Sequence, residues 1–274
     1  MTISAPCALV AFLAACSSAE SPSSRSAPLQ PGSATARPAG AASPISASTR
    51  QLVTAVIPDW DATTAELRLW TRDGDDPWQP AGAAWQGVIG RTGAAWGVGL
   101  HGSGAPSGRS GPRKHEGDGK SPAGVFALTA SFGYAGSPPP RAGLPYTPVD
   151  ARWKCVDDPA SRHYNQILDE RTVTKDWASA EDMRRTDDVY TWVVEVAHNA
   201  VRTGGDGSCI FLHVWSGPGS ATVGCTAMPE DKLVALLAGL SADAAPMFVL
   251  LPRAEYDALA PTWRLPSLHT MRIN

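Results

Sequence analysis

The sequence predicts a mainly β fold with a few helices, of the α+β class. Three observations predict it. Apolar runs of strand length recur along the chain, alternating with polar neighbours or bounded by turn residues. Gly and Pro are abundant, at 26 and 24 residues, and break helical periodicity over long stretches. One segment after Pro229 does carry an apolar stripe at helical spacing: Leu233, Leu236, Leu237 and Leu240.

In chain order, the first fifteen residues contain no Asp, Glu, Lys or Arg, and a short apolar run from Ala8 to Ala15 ends at Leu13-Ala14-Ala15-Cys16. This looks like a bacterial lipobox, which implies that residues 1–15 are a removed signal peptide and that Cys16 carries lipid. The run is far shorter than the ~20 residues that span a bilayer. No basic residue precedes it, unlike most signal peptides. Ser, Ala, Pro and Gly dominate the rest of residues 16–50, where Leu29 and Ile45 are the bulky apolar residues. Such a stretch buries too little surface to offset its ordering entropy and reads as a disordered tether.

The folded part is expected over residues 51–252. Leu52–Pro58 and Ala65–Thr71 read as strands, the second with Leu67 and Leu69 alternating with charged neighbours. A glycine-rich stretch from Trp85 to Gly111 shows little helical periodicity. Val125–Leu128 is a short strand after the turn at residues 117–122, and the segment from Pro138 to Pro148 is irregular. Ser179–Met183 looks helical. Tyr190–Ala197 and Cys209–Trp215 are strands joined through Gly204-Gly205-Asp206-Gly207. Pro229, Glu230 and Asp231 start a helix, and Met247–Leu251 is the last strand. Residues 253–274 read as a C-terminal tail.

Composition narrows the partners. A formal charge of −3 without a Lys/Arg run gives no polyanion-binding signature, so no nucleic acid is expected. The ten Trp fit either a core or sugar-stacking surfaces.

The window that carries chemistry is residues 209–229, CIFLHVWSGPGSATVGCTAMP. His213 ends an apolar strand, and Gly224-Cys225-Thr226 follows in a loop of small residues. Acyl transfer by a thiol needs a nucleophile, a base within reach and backbone donors for the oxyanion. A Cys beside a His and near a helix start has its thiolate favoured, and Gly224 lets backbone approach a substrate carbonyl. Taken alone, a Gly-Cys pair is more often a buried structural thiol, and a lone His a satisfied core or surface residue. His101, His115, His163, His198 and His269 lack comparable company, although His115 adjoins the Gly117-Asp118-Gly119 turn.

The window resembles the catalytic domain of the L,D-transpeptidase (YkuD-type) family, whose signature is a His, a spacer, Ser or Thr, a variable position, then Gly-Cys. Here those positions are His213, Thr222, Gly224 and Cys225. The stretch from Glu116 to Phe126 is similar to a segment early in that domain, and Tyr164-Asn165-Gln166 and Ser179–Met183 match a divergent branch. Val223 replaces the His that precedes Gly-Cys in better-known members, and Thr226 replaces the following Arg or Lys. The resemblance implies one β-sandwich or barrel domain, without cofactor or metal. It implies a transferase acting on peptidoglycan stem peptides, with Cys225 as nucleophile and His213 as base. Thr222 would orient His213 or the loop, and Gly224 would give the close approach.

Thr226, Lys120, Tyr164 and Asn165 are candidate substrate contacts. Trp215, two residues beyond His213 on the same strand, lines the cleft or caps the core. With Cys7 and Cys16 leaving the count and the nucleophile kept free, Cys155 and Cys209 are the natural disulfide in an exported protein; the alternative is two buried thiols. A zinc site of Cys209, His213 and Cys225 has no evident fourth ligand. A monomer held at a membrane through lipid and facing the periplasm or cell wall is expected. A hydrolase on the same scaffold and a non-catalytic cell-wall-binding lipoprotein are the alternatives.

Overall fold

In the computed structural model, residues 43–268 are described and belong to one compact unit. The expected signal peptide, the expected lipidation site Cys16 and His269 lie outside the described residues. Eight strands close a barrel: β1 (Gln51–Ile57), β2 (Thr64–Thr71), β3 (Trp85–Val88), β4 (Ser121–Gly133), β5 (Trp192–Val196), β6 (Phe211–Val214), β7 (Thr226–Met228) and β8 (Met247–Pro252). Their order around the barrel is β1, β8, β4, β5, β6, β7, β3, β2 and back to β1. β1 pairs β8 in parallel and β6 pairs β7 in parallel; the remaining neighbours are antiparallel. Closure leaves no open barrel edge to pair with another chain.

Burial follows the residue pattern. β8, with sequence MFVLLP, is buried at every position, because the barrel core lies on one face and helical cover on the other. β2 keeps Glu66 outside and Leu67 inside by simple alternation. Helix α1 (Glu230–Gly239) starts after Pro229, carries Glu230 and Asp231 in its first turn and buries Leu233, Leu236 and Leu237. It packs against β5 and β6.

β5 and β6 serve two cores. Val194, Val196, Ile210 and Leu212 face the main core. Val193 and Phe211 face a second core together with Tyr190, Met183, Cys209 and Cys225. Residues 150–190 cover that second face. Within them Trp153–Val156, Ile167–Asp169 and Ala180–Asp182 form a three-stranded sheet.

Several expectations need correction. Ser179–Met183 is not helical: residues 180–182 pair with Trp153–Val156, setting Cys155 opposite Glu181. The short strand expected at Val125–Leu128 is the middle of the 13-residue β4, whose polar end at Thr129–Ser131 is recruited by pairing with β5. The glycine-rich stretch contributes β3 and further short strands. The folded part begins before Gln51, since Ile45 and Thr49 are buried and Ser43 Oγ donates to the Trp263 carbonyl at 2.8 Å. Residues after Pro252 are not a plain tail. Helix α2 (Arg253–Trp263) buries Tyr256, Leu259 and Trp263.

Candidate active site

Parallel pairing of β6 with β7 sets His213 opposite Ala227 and Leu212 opposite Thr226. Cys225 lies two residues before Ala227, so strand alternation turns its side chain to the face that His213 occupies. A cavity of about 170 Å³ is lined by both, together with Trp215, Tyr190, Arg185 and Glu181. A second cavity, of about 200 Å³, also borders Cys225 and is lined by Lys114, Glu116, Asp157 and Glu181. Glu181 and Val223 border both. A larger cavity of about 790 Å³ lies between Arg72, Trp78 and Arg264, but it has neither thiol nor imidazole in its lining.

The loop before Cys225 is held by hydroxyls. Thr222 Oγ1 donates to the Cys225 carbonyl at 2.6 Å and accepts the Gly224 N–H at 3.1 Å. Ser121 Oγ donates to the same carbonyl at 2.9 Å and accepts the Gly90 N–H at 2.9 Å. A Cβ on Gly224 would stand 3.2 Å from the Lys120 carbonyl oxygen, at a φ of 156°, so the loop packs only with glycine there. The thiol itself accepts the Phe211 N–H at 3.3 Å and donates to the Cys209 carbonyl at 3.4 Å.

The resting charge state differs from the expectation. Cys225 is 4% exposed, and burial, followed by the nearby Glu181 charge, pushes its thiol up to about 12. Burial likewise pushes His213 down to about 4. His213 Nδ1 lies 2.7 Å from the Val214 carbonyl. A carbonyl only accepts, so the neutral ring carries its proton on Nδ1 and leaves a lone pair on Nε2. Thiol and imidazole are therefore both neutral. The expected help from a helix start is missing because β7 intervenes between Cys225 and α1.

Sequence reasoning missed the charged surroundings. Tyr190 Oη donates to Glu181 Oε1 at 2.6 Å, and its ring meets His213 edge-on with centroids 5.1 Å apart. Arg185 grips Asp187 through two nitrogens at 2.9 and 2.7 Å and reaches Glu181 at 3.4 Å. The block holding Glu181 drew notice only through its resemblance to the divergent branch, and its helical look concealed which way the carboxylate faces.

Other candidates fall into two groups. Trp215 lines the cavity with His213. Cys155 and Cys209 are joined at an S–S distance of 2.07 Å, and Cys225 is the free cysteine among the described residues. That bond removes Cys209 as a zinc ligand. Thr226 is turned away, because it pairs with Leu212 and is buried. Lys120 borders neither cavity; its ammonium donates to the Thr92 carbonyl and lies 4.0 Å from Asp61. Tyr164 is buried and donates to Glu116. Asn165 donates to the His198 and Asn199 carbonyls and accepts the Cys209 N–H at 3.0 Å, so it braces the disulfide. His115 is exposed and borders neither cavity.

The chain matches no family model, no curated protein and no solved structure. Its function is therefore argued from the site. A free thiol and a neutral imidazole lining one cavity are among the parts that nucleophilic acyl transfer requires.

Proposed function

We propose that the chain is a cysteine-dependent L,D-transpeptidase of the YkuD type, acting on peptidoglycan stem peptides through a Cys225 acyl-enzyme. One observation carries this reading: the free thiol of Cys225 and the neutral imidazole of His213, with Nε2 unprotonated, line the same cavity. The closed, mainly β barrel that brings them to one face supports the fold that the resemblance implies. The Cys155–Cys209 disulfide supports an exported protein, since such bonds persist in oxidising compartments. The lipobox-like segment ending at Cys16 supports an anchor at the membrane.

In this reading a stem-peptide amide enters beside Trp215 and displaces water. His213 Nε2 takes the thiol proton while sulfur bonds to the carbonyl carbon, because the two neutral partners form no ion pair beforehand. The Cys225 N–H holds the oxyanion. His213 returns the proton to the departing amine, the C–N bond breaks and a thioester remains. An acceptor then resolves it.

The test is intact mass after incubation with a carbapenem. A single covalent adduct is expected on the wild type and none on Cys225→Ala. An unmodified wild type, or a labelled Cys225→Ala, would overturn the assignment. Purified muropeptides, scored for cross-linked against trimmed products, distinguish transfer from hydrolysis.

A further inference from the structure

Glu181 is an odd companion for a nucleophile. Its carboxylate opposes negative charge on Cys225, the atom that must become more negative during attack. Support of Tyr190 does not explain the charge, because a neutral amide oxygen would accept the same hydroxyl. Arg185 offsets the charge only in part, since it reaches Glu181 at 3.4 Å while its two shorter contacts go to Asp187. Burial also holds the Glu181 carboxyl above its ordinary range, with Arg185, Asp157 and Asp187 as its charged neighbours.

The second cavity offers a reason. Its basic residues are Lys114, committed to Asp118 at 2.6 Å and to the His115 carbonyl, and the exposed Arg91. Glu116 is engaged by Tyr164 and by Ser208 Oγ at 2.7 Å. Of the other acids, Asp157 has a buried Oδ1 with no hydrogen-bond partner, and Glu181 has only its Oε1 engaged, by Tyr190 and Arg185. Two carboxylates with unspent capacity, beside the atom that would carry the acyl group, suit a cation that also donates hydrogen bonds.

We propose that Glu181 selects the second substrate: with Asp157 it draws a primary ammonium group into the cavity and takes its first proton, so that an amine rather than water resolves the acyl-enzyme. This rests on Cys225 forming that acyl-enzyme. The protons and bonds balance. An ammonium loses one proton to the Glu181 carboxylate, and the freed amine attacks the thioester carbon. The C–N bond forms, the C–S bond breaks, and the amine's second proton passes through His213 to the departing sulfur. Glu181 then releases its proton to solvent.

The experiment follows a tetrapeptide muropeptide, which carries both a donor bond and a free side-chain amine. Mass spectrometry gives the ratio of cross-linked dimer to trimmed product. In Glu181→Gln the ratio falls roughly tenfold or more, the loss of one charge-assisted hydrogen bond. It recovers as the pH is raised past about 10.4, above which an amine with that pKa arrives mostly neutral. Asp157→Asn gives a smaller fall in the same direction. Tyr190→Phe, which removes the hydroxyl but leaves the carboxylate, keeps the ratio. An unchanged ratio in Glu181→Gln overturns the proposal, as does an equal fall in Tyr190→Phe, since the role would then be positional. A wild type that forms no Cys225 adduct overturns the acyl-enzyme reading and this inference together; an adduct with an unchanged ratio overturns this inference alone.

Discussion

Thr222 Oγ1 donates to the carbonyl of Cys225 at 2.6 Å and in the same stroke accepts the N–H of Gly224 at 3.1 Å. One hydroxyl thus closes the loop that presents Cys225, the proposed nucleophile. Thr222→Val keeps the branched shape and loses both bonds. The expected cost is about 1–2 kcal/mol of stability, with carbapenem labelling slowed by roughly tenfold, which corresponds to about 1.4 kcal/mol. Thr222→Ser should retain both. Denaturant melts and labelling rates measure the two effects, and wild-type behaviour in the valine variant would contradict the role given to the hydroxyl.

The neutral thiol has a kinetic signature. With Cys225 pushed up to about 12, little thiolate exists near neutral pH. Iodoacetamide should alkylate Cys225 about 100-fold or more slowly than an ordinary cysteine with a pKa near 8.5. The rate should keep climbing with pH beyond that value. A plateau near pH 8 would show that the site stabilises a thiolate after all.

Acid stability depends on three histidines. His101, His198 and His213 are each pushed down to about 4 by burial. As pH falls below ~6.5 the unfolded chain takes up protons at these positions while the folded chain does not. Their contribution is therefore complete above that pH and is lost progressively as pH drops toward 4. Unfolding free energies at pH 7.5, 6 and 5 should decline by roughly 1–3 kcal/mol per histidine across the window. A flat profile would contradict their buried, neutral state.

Helix α2 is a structural part of the core rather than an appendage. Trp263 and Tyr256 are buried in it, and Trp263 receives the Ser43 hydroxyl on its carbonyl. Trp263→Ala should cost about 3–5 kcal/mol. A chain ending at Pro252 should show no cooperative thermal transition by circular dichroism, and retention of one would mean that α2 adds little.

Elements whose order comes from their own periodicity were readable in the sequence: β1, β2, β5, β6, β8 and helix α1 carry their apolar pattern within themselves. Strands built by their partners were not. Ala180–Asp182 has three weak strand formers and exists because Trp153–Val156 lies beside it. For the same reason, motif spacing pointed to His213 and Cys225, which line one cavity, whereas Glu181 and Tyr190 were not visible as neighbours. Polar side chains such as Lys120, Tyr164 and Asn165 looked available because a sequence does not show the carbonyls and carboxylates that occupy them. The helix expected to activate Cys225 misled through proximity along the chain, since the residues of β7 stand between.

The arrangement of three cysteines also sets a hazard during oxidation. Cys209 is separated from Cys155 by 54 residues and from Cys225 by 16. In an unstructured chain the shorter loop closes more readily, by roughly sixfold on loop-length entropy alone. A freshly made molecule is thus biased toward bonding Cys209 to Cys225, the sulfur that the proposed reaction needs free. Productive maturation then depends on residues 150–190 docking before oxidant arrives, or on a thiol exchanger that undoes the error.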